Sequence, residues 1–141
     1  GQTIDAPLVQ PARLRDYKEG GSYDFYVETK EKTYLIRPSF NYIEGQLDNI
    51  KADILFLGVA GLAKADEKTK EVFFKETVEK VNPELVIPLH WDNFFSKLDR
   101  PVVGMPSLIE KTPLVFFKMA KYCEENDIDF LIQIPRTSIT L

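Results

Sequence analysis

Two short runs in the chain, Ile54–Gly58 and Leu85–Leu89, carry no polar side chain along their whole length. A strand with one face in water alternates polar and apolar residues, whereas a run without alternation suits a strand covered on both faces, as in parallel sheets. Residues 67–81, between the runs, place Phe73, Phe74, Thr77, Val78 and Val81 at helical spacing. Asp66 stands where an N-cap belongs, and Pro83 stands where such a helix has to end. Strand, helix and strand in that order form a parallel pair joined by a right-handed crossover. The fold class that follows is α/β.

The rest of the chain extends this pattern at both ends. Residues 22–28 alternate, with Tyr23, Phe25 and Val27 on one face, and Thr33–Arg37 is a second β-prone run. The short polar stretch 29–32 between them suits a hairpin loop. Pro88 sits near the end of its strand, where a missing ladder donor is tolerated. Residues 92–112 hold Pro101, Gly104 and Pro106 and read as a long loop. Thr112 followed by Pro113 has the form of a cap and a proline at the first helical position. That helix runs to about Asn126 with Val115, Phe116, Met119, Ala120 and Cys123 inward, and residues 128–134 read as a final strand. Residues 1–14, with Pro7 and Pro11, read as an extended lead-in with room for one edge strand. The order is two hairpin strands and then βαβαβ, with no internal repeat and no low-complexity segment. At 141 residues the chain is one domain, long enough to build a core without disulfides or metals.

Charge and rare residues exclude several functions. The 18 basic and 22 acidic residues leave a net charge of −4, which argues against a general nucleic-acid binder. No apolar run approaches the roughly 20 residues of a membrane helix, and residues 1–11 lack the basic and apolar regions of a signal peptide. No membrane partner is expected, and the compartment stays open. The first residue is Gly1 rather than Met, as in a chain that begins after processing, after removal of a tag, or within a longer gene. A single cysteine, Cys123, forbids an internal disulfide and a Cys-rich zinc site. A single histidine, His90, forbids a His-rich metal site or two catalytic histidines within the chain.

Few residues remain to carry chemistry. His90 directly follows the run Leu85–Leu89, and sites in α/β sheets collect beyond the carboxyl ends of strands. A histidine there serves as a metal ligand or general base, or simply as a hydrogen-bonded residue at a strand end. Asp92 can orient His90, ligate a metal itself, or cap a loop, and Trp91 between them reads as packing at a mouth. Ser39, just beyond Thr33–Arg37, is a nucleophile only with a base in reach and otherwise belongs to a turn that its own hydroxyl closes. No G-x-S-x-G elbow surrounds it. Gly58-Val59-Ala60-Gly61 is a glycine-rich turn that fits a tight bend better than a phosphate cradle, since it matches neither phosphate-binding motif. Asp48, Asp53, Glu124 and Glu125 read as solvated charge, as do Lys64, Lys68, Lys70, Lys75 and Lys80 among the acids of the first helix.

The string Ala52-Asp53-Ile54-Leu55-Phe56-Leu57-Gly58, a helix, and then Val86-Ile87-Pro88-Leu89-His90-Trp91-Asp92 resembles the C-terminal half of a metallo-β-lactamase-fold hydrolase, in its lactonase-like branch. The resemblance spans residues 15–135. Asp16-Tyr17-Lys18-Glu19-Gly20-Gly21 resembles the approach to the first hairpin, and Ser39 to Leu47 resembles a sub-branch with serine where the family usually has a metal-bridging aspartate. The implied fold is one half of an αββα sandwich, a mixed sheet with helices on one face. The implied role of His90 is metal ligand. Asp92 would orient or supplement it, and Ser39 would bind a water, a second weak metal or the substrate; these two are the implied catalytic residues. The implied cofactor is zinc or another divalent metal in the full-length parent, which would polarise a carbonyl or phosphoryl oxygen and acidify its bound water. The family's H-x-H-x-D-H motif belongs to the N-terminal half and is absent here. The chain alone is therefore expected neither to hold metal tightly nor to catalyse. Its expected partners are the missing N-terminal half or further copies of itself, because either would cover the sheet face that a half-sandwich leaves open. The alternative is a non-catalytic α/β module that works through homo-oligomerisation or partner binding.

Overall fold

The computed structural model describes residues 7–13, 16–17, 21–97 and 99–140. Its strands are β1 (Phe25–Glu28), β2 (Thr33–Arg37), β3 (Ile54–Gly58), β4 (Leu85–Leu89) and β5 (Asp129–Phe130), and its helices are α1 (Glu67–Phe74) and α2 (Thr112–Glu125). The five strands form one sheet in the order β1-β2-β3-β4-β5. β1 runs antiparallel to β2, and every later pair is parallel, so the sheet is mixed. The chain is α/β, as its two apolar runs imply.

Register decides which residues share a face. Leu35, Leu55 and Val86 are paired across β2, β3 and β4, and Leu57 lies two residues beyond Leu55 on the same side. These four join Phe73, Phe74, Val78 and Val81 of the first helical stretch and Val115, Met119 and Cys123 of α2 in one buried cluster. Both helices therefore pack on the same face. This follows from the strand order. A sheet that grows in one direction through right-handed crossovers drops every crossover on one side. The opposite face is apolar too. Phe25, Val27, Tyr34, Ile36, Ile54, Phe56, Leu85, Ile87 and Leu89 share it by register. Ile54 and Ile87 are buried, but Phe25 is 57% and Val27 43% exposed. The C-terminal segment Gln133, Ile134, Pro135 and Arg136 lines a cleft with Ile87 and so lies over part of this face.

Local chemistry explains the elements. Asp66 caps α1, its Oδ1 accepting from the Thr69 N–H at 2.7 Å. The helix continues past Phe74 through a π-helical segment, Lys75–Glu79, and stays helical to Val81. Asn82 then turns left-handed at φ 53° ahead of Pro83. Pro88 lies opposite Leu57 of β3, and β5 ends before reaching its level. No ladder donor is needed there on the β5 side.

Several expectations need correction. The first strand begins at Phe25 rather than residue 22, and the last holds only Asp129 and Phe130 rather than 128–134. Thr112 is not a cap. Lys111 occupies the cap position without a side-chain bond, and the Thr112 hydroxyl donates to the Trp91 carbonyl at 3.3 Å. Ala120 is exposed rather than inward. Lys70 is buried, its ammonium held 2.7 Å from Glu67. Asp53 is no surface charge. Its Oδ2 accepts from the Thr33 N–H at 2.6 Å and the Thr33 hydroxyl at 2.8 Å, tying the start of β2 to β3. The lead-in shows no strand at residues 7–13, and its remaining residues, with Lys18, Glu19 and Gly20 of the hairpin approach, lie outside the described residues. Among the described residues no helix is long and apolar enough to cross a membrane.

Candidate functional site

Parallel strands β2, β3 and β4 end on the same edge of the sheet, so the residues just beyond them come together. Ser39 follows β2, Ala60 follows β3 and His90 follows β4, and all three line one cleft of about 480 Å³. Tyr23 and Phe25 form its wall on the side of the helix-free face. Two sequence-predicted site residues, Ser39 and His90, thus share a cavity although 51 positions separate them (90 − 39).

Asp92 is not part of that cavity. It lines a second cleft of about 320 Å³ with Trp91 and Gln133–Arg136, and His90 lines this cleft as well as the first. An antiparallel bridge between Asp92 and Gly104 holds its backbone, helped by the Asn93 N–H donating to the Val103 carbonyl at 2.9 Å. Among the described residues no hydrogen bond joins Asp92 to His90. Trp91 is buried, edge-on to Phe116 with ring centroids 5.3 Å apart, so it packs inward rather than at a mouth.

The His90 backbone is unusual. Its φ of 60° lies in the left-handed region. Residues with a Cβ enter that region at a penalty of roughly 1–2 kcal/mol, and such residues cluster at functional sites. The conformation turns the chain sharply at the end of β4 and leaves the imidazole exposed, tilted against Phe94 with ring centroids 5.2 Å apart.

The surrounding loops are held by the turn bond that the sequence offers for Ser39 and by two carboxylates that local patterns do not reveal. The Ser39 Oγ accepts from the Asn41 N–H at 3.1 Å, closing the turn after β2. Glu110, buried, accepts from the Gly61 N–H at 2.6 Å and the Ala63 N–H at 3.1 Å. The glycine-rich turn therefore presents its amides to a carboxylate of its own chain, which takes the place a phosphate would have in a cradle. Glu76, in the π-helical segment, accepts from the Gly45 N–H at 2.8 Å and from the Lys80 ammonium at 2.7 Å. The Lys80 and Gly45 bonds hold the Glu76 carboxyl below its ordinary range, and Lys80 also pairs with Asp48. Glu110 lies 49 positions from Gly61 and Glu76 lies 31 from Gly45, beyond any short-range signal.

A catalytic zinc takes three protein ligands. Among the described residues no three His, Cys, Asp or Glu side chains group to hold a metal ion. His90 offers one imidazole, Asp92 shares only the 320 Å³ cleft with it and brings no third ligand, and Cys123 of α2 is buried in the core. The chain's own described residues therefore do not fit a metal centre, and no chemistry through a metal follows from them alone. Compared with models of known protein families, with curated proteins and with solved structures, the chain finds no match.

Proposed function

We propose that this chain is the C-terminal portion of a metal-dependent hydrolase of the metallo-β-lactamase fold, inactive by itself, whose helix-free sheet face packs against the sheet of an N-terminal half. The observation that carries the reading is the asymmetry of the sheet. One face of the central strands is buried under two helices, and the other is equally apolar and carries no helix among the described residues. The edge strand β1 is exposed on both faces, at Phe25 and Val27 on one and Tyr26 on the other. Stacked sheets bury such faces about 10 Å apart with interlocking side chains. The edge where such a sandwich would open is the edge that carries Ser39 and His90 in one cleft. In this reading His90 contributes one ligand to a site that the other half completes, and Ser39 faces the same cleft to position water or substrate. Asp92 supports the turn behind His90.

The same apolar face supports a second reading, a homo-oligomer in which another copy supplies the cover. A two-fold interface uses one patch on both partners, and a stable one buries more than about 1,000 Å².

Two measurements test the proposal. The gene preceding Gly1 is expected to encode H-x-H-x-D-H, and in the protein so completed His90→Ala should lower the metal content measured by elemental analysis. Unchanged metal content removes His90 from the ligand set, and an upstream sequence without the motif removes the hydrolase reading. Sedimentation of the 141-residue chain at micromolar concentration separates the second reading: a dimer or larger species supports it. A monomer that binds no hydrophobic dye shows that the chain covers its own sheet, and the half-sandwich reading fails.

A further inference from the structure

Arg37 ends β2 with its side chain on the helix-covered side, in register with Leu57. It is 3% exposed. Its Nε donates to Asp24 Oδ2 at 2.8 Å and its Nη2 donates to the Asn41 carbonyl at 3.3 Å. Nη1 is buried with no hydrogen-bond partner among the described residues. Folded proteins leave few buried donors in this state, and each one calls for an explanation. Arg37 lines a cleft of about 320 Å³ with Asp24, Ser39, Asn41, Tyr42 and Gln46, and Nη1 itself lies just below the cleft surface. Ser39 and Asn41 also line the His90 cleft, so the two cavities adjoin.

Charge narrows what the free donor can take. Asp24 already neutralises the guanidinium, and an anionic ligand would meet that carboxylate beside the arginine. An uncharged oxygen acceptor meets no such repulsion. The Ser39 Oγ accepts from Asn41 and so keeps its own hydroxyl proton to donate. The Asn41 and Gln46 side chains stand exposed at the rim, each with an amide that pairs with donors and acceptors alike.

We propose that this cleft is a binding subsite for an uncharged ligand, whose carbonyl oxygen accepts from Arg37 Nη1 as the rim yields. The subsite requires neither a metal nor a second half, so it stands or falls apart from the hydrolase reading.

The test uses the 141-residue chain at pH 7 and two probes of nearly the same shape, N-acetylglycinamide, which is neutral, and N-acetylglycine, which is an anion. Their binding is followed by the NMR signals of the Arg37 guanidinium and the Ser39 and Asn41 amides. Saturable shifts are expected with the neutral amide, and binding about tenfold weaker with the carboxylate. Arg37→Lys, which keeps the charge but not the fork, should abolish the shifts. Asp24→Asn, which keeps an oxygen for Nε but removes the charge, should reverse the preference toward the carboxylate. Three results overturn the proposal: no saturable shift with the amide, as when a resident water satisfies Nη1; equal affinity for the two probes; or an unchanged preference in Asp24→Asn. The wild-type titration decides even if Arg37→Lys does not fold.

Discussion

The two faces of the sheet differ in what covers them, not in what they are made of. Leu35, Leu55, Leu57 and Val86 on one side are as apolar as Ile36, Ile54, Phe56 and Ile87 on the other. The first set lies under α1 and α2, while the second lies under no helix among the described residues and grades from buried at Ile87 to exposed at the edge residue Phe25. The difference comes from strand order. In a sheet whose strand order reverses direction partway, right-handed crossovers cover both faces; here the order never reverses, and one face receives all the helices. Hydrophobic pattern alone therefore states that a face wants cover, and topology states whether the chain supplies it.

Deleting side chains on each face breaks the comparison most directly. Leu55→Ala, beneath the helices, should lower stability by about 3 kcal/mol, a fall in Tm of roughly 10 °C. Phe25→Ala should change stability by no more than about 0.5 kcal/mol, despite removing a larger group. Thermal melts of the two variants side by side check this. Equal losses would show the helix-free face to be as tightly packed as the other.

Acid should act on the helix-covered side first. Asp66, held by the Thr69 N–H, and Glu76, held by Lys80 and the Gly45 N–H, both have carboxyls below their ordinary values of 3.8 and 4.5. A lowered folded-state pKa gives stability that is present above the ordinary value and lost as pH falls through the lowered one. Far-UV circular dichroism should hold steady down to those ordinary values and lose helix signal below them. Glu76→Gln should flatten that loss. An unchanged acid profile would remove Glu76 from the account.

Exposed apolar surface gives a smaller effect with a clear sign. Phe25→Ser together with Val27→Ser should reduce hydrophobic-dye fluorescence while leaving Tm within about 2 °C. Undiminished fluorescence would locate the dye elsewhere.

At the edge between the faces, His90→Gly should raise stability slightly, by about 0.5 kcal/mol, because glycine takes the left-handed backbone without strain and loses only part of that gain to its freer unfolded chain. Urea melts measure it. A loss of stability instead would mean that the imidazole's packing against Phe94 outweighs the strain.

How far the sequence could be read depended on the range of the interaction. β3, β4 and the helical stretch to Val81 were legible because their signals are local: unbroken apolar runs, an Asp66 cap and a proline stop. Residues 131–134 misled because Leu131, Ile132 and Ile134 have strand-forming side chains, and propensity says nothing about a pairing partner. Thr112 has the local form of a cap, but a carbonyl 21 positions away takes its hydroxyl. Asp53 looked like surface charge because its partner, Thr33, sits 20 positions upstream. At the site, Ser39 and His90 were legible as strand-end positions, and their shared cleft follows once β2, β3 and β4 are parallel neighbours. Glu110 and the free Arg37 donor were not legible, since both depend on distances that only the folded chain sets.

Gly58 gives the cleft edge a further property, one of permitted spelling. A Cβ built there would lie 2.6 Å from the Pro38 carbonyl carbon and 2.9 Å from the Ser39 carbonyl carbon, closer still to the Pro38 oxygen, and all of these are backbone. No rotamer relieves a clash with main chain. In a library holding all twenty amino acids at this position, survivors should collapse onto glycine. Neighbouring Ala60, half-buried in the cleft wall, should accept several small residues. The turn after β2 thus lies against the end of β3 at a spacing that a single methyl group would open, and the place of Ser39 in the cleft depends on a residue with no side chain at all.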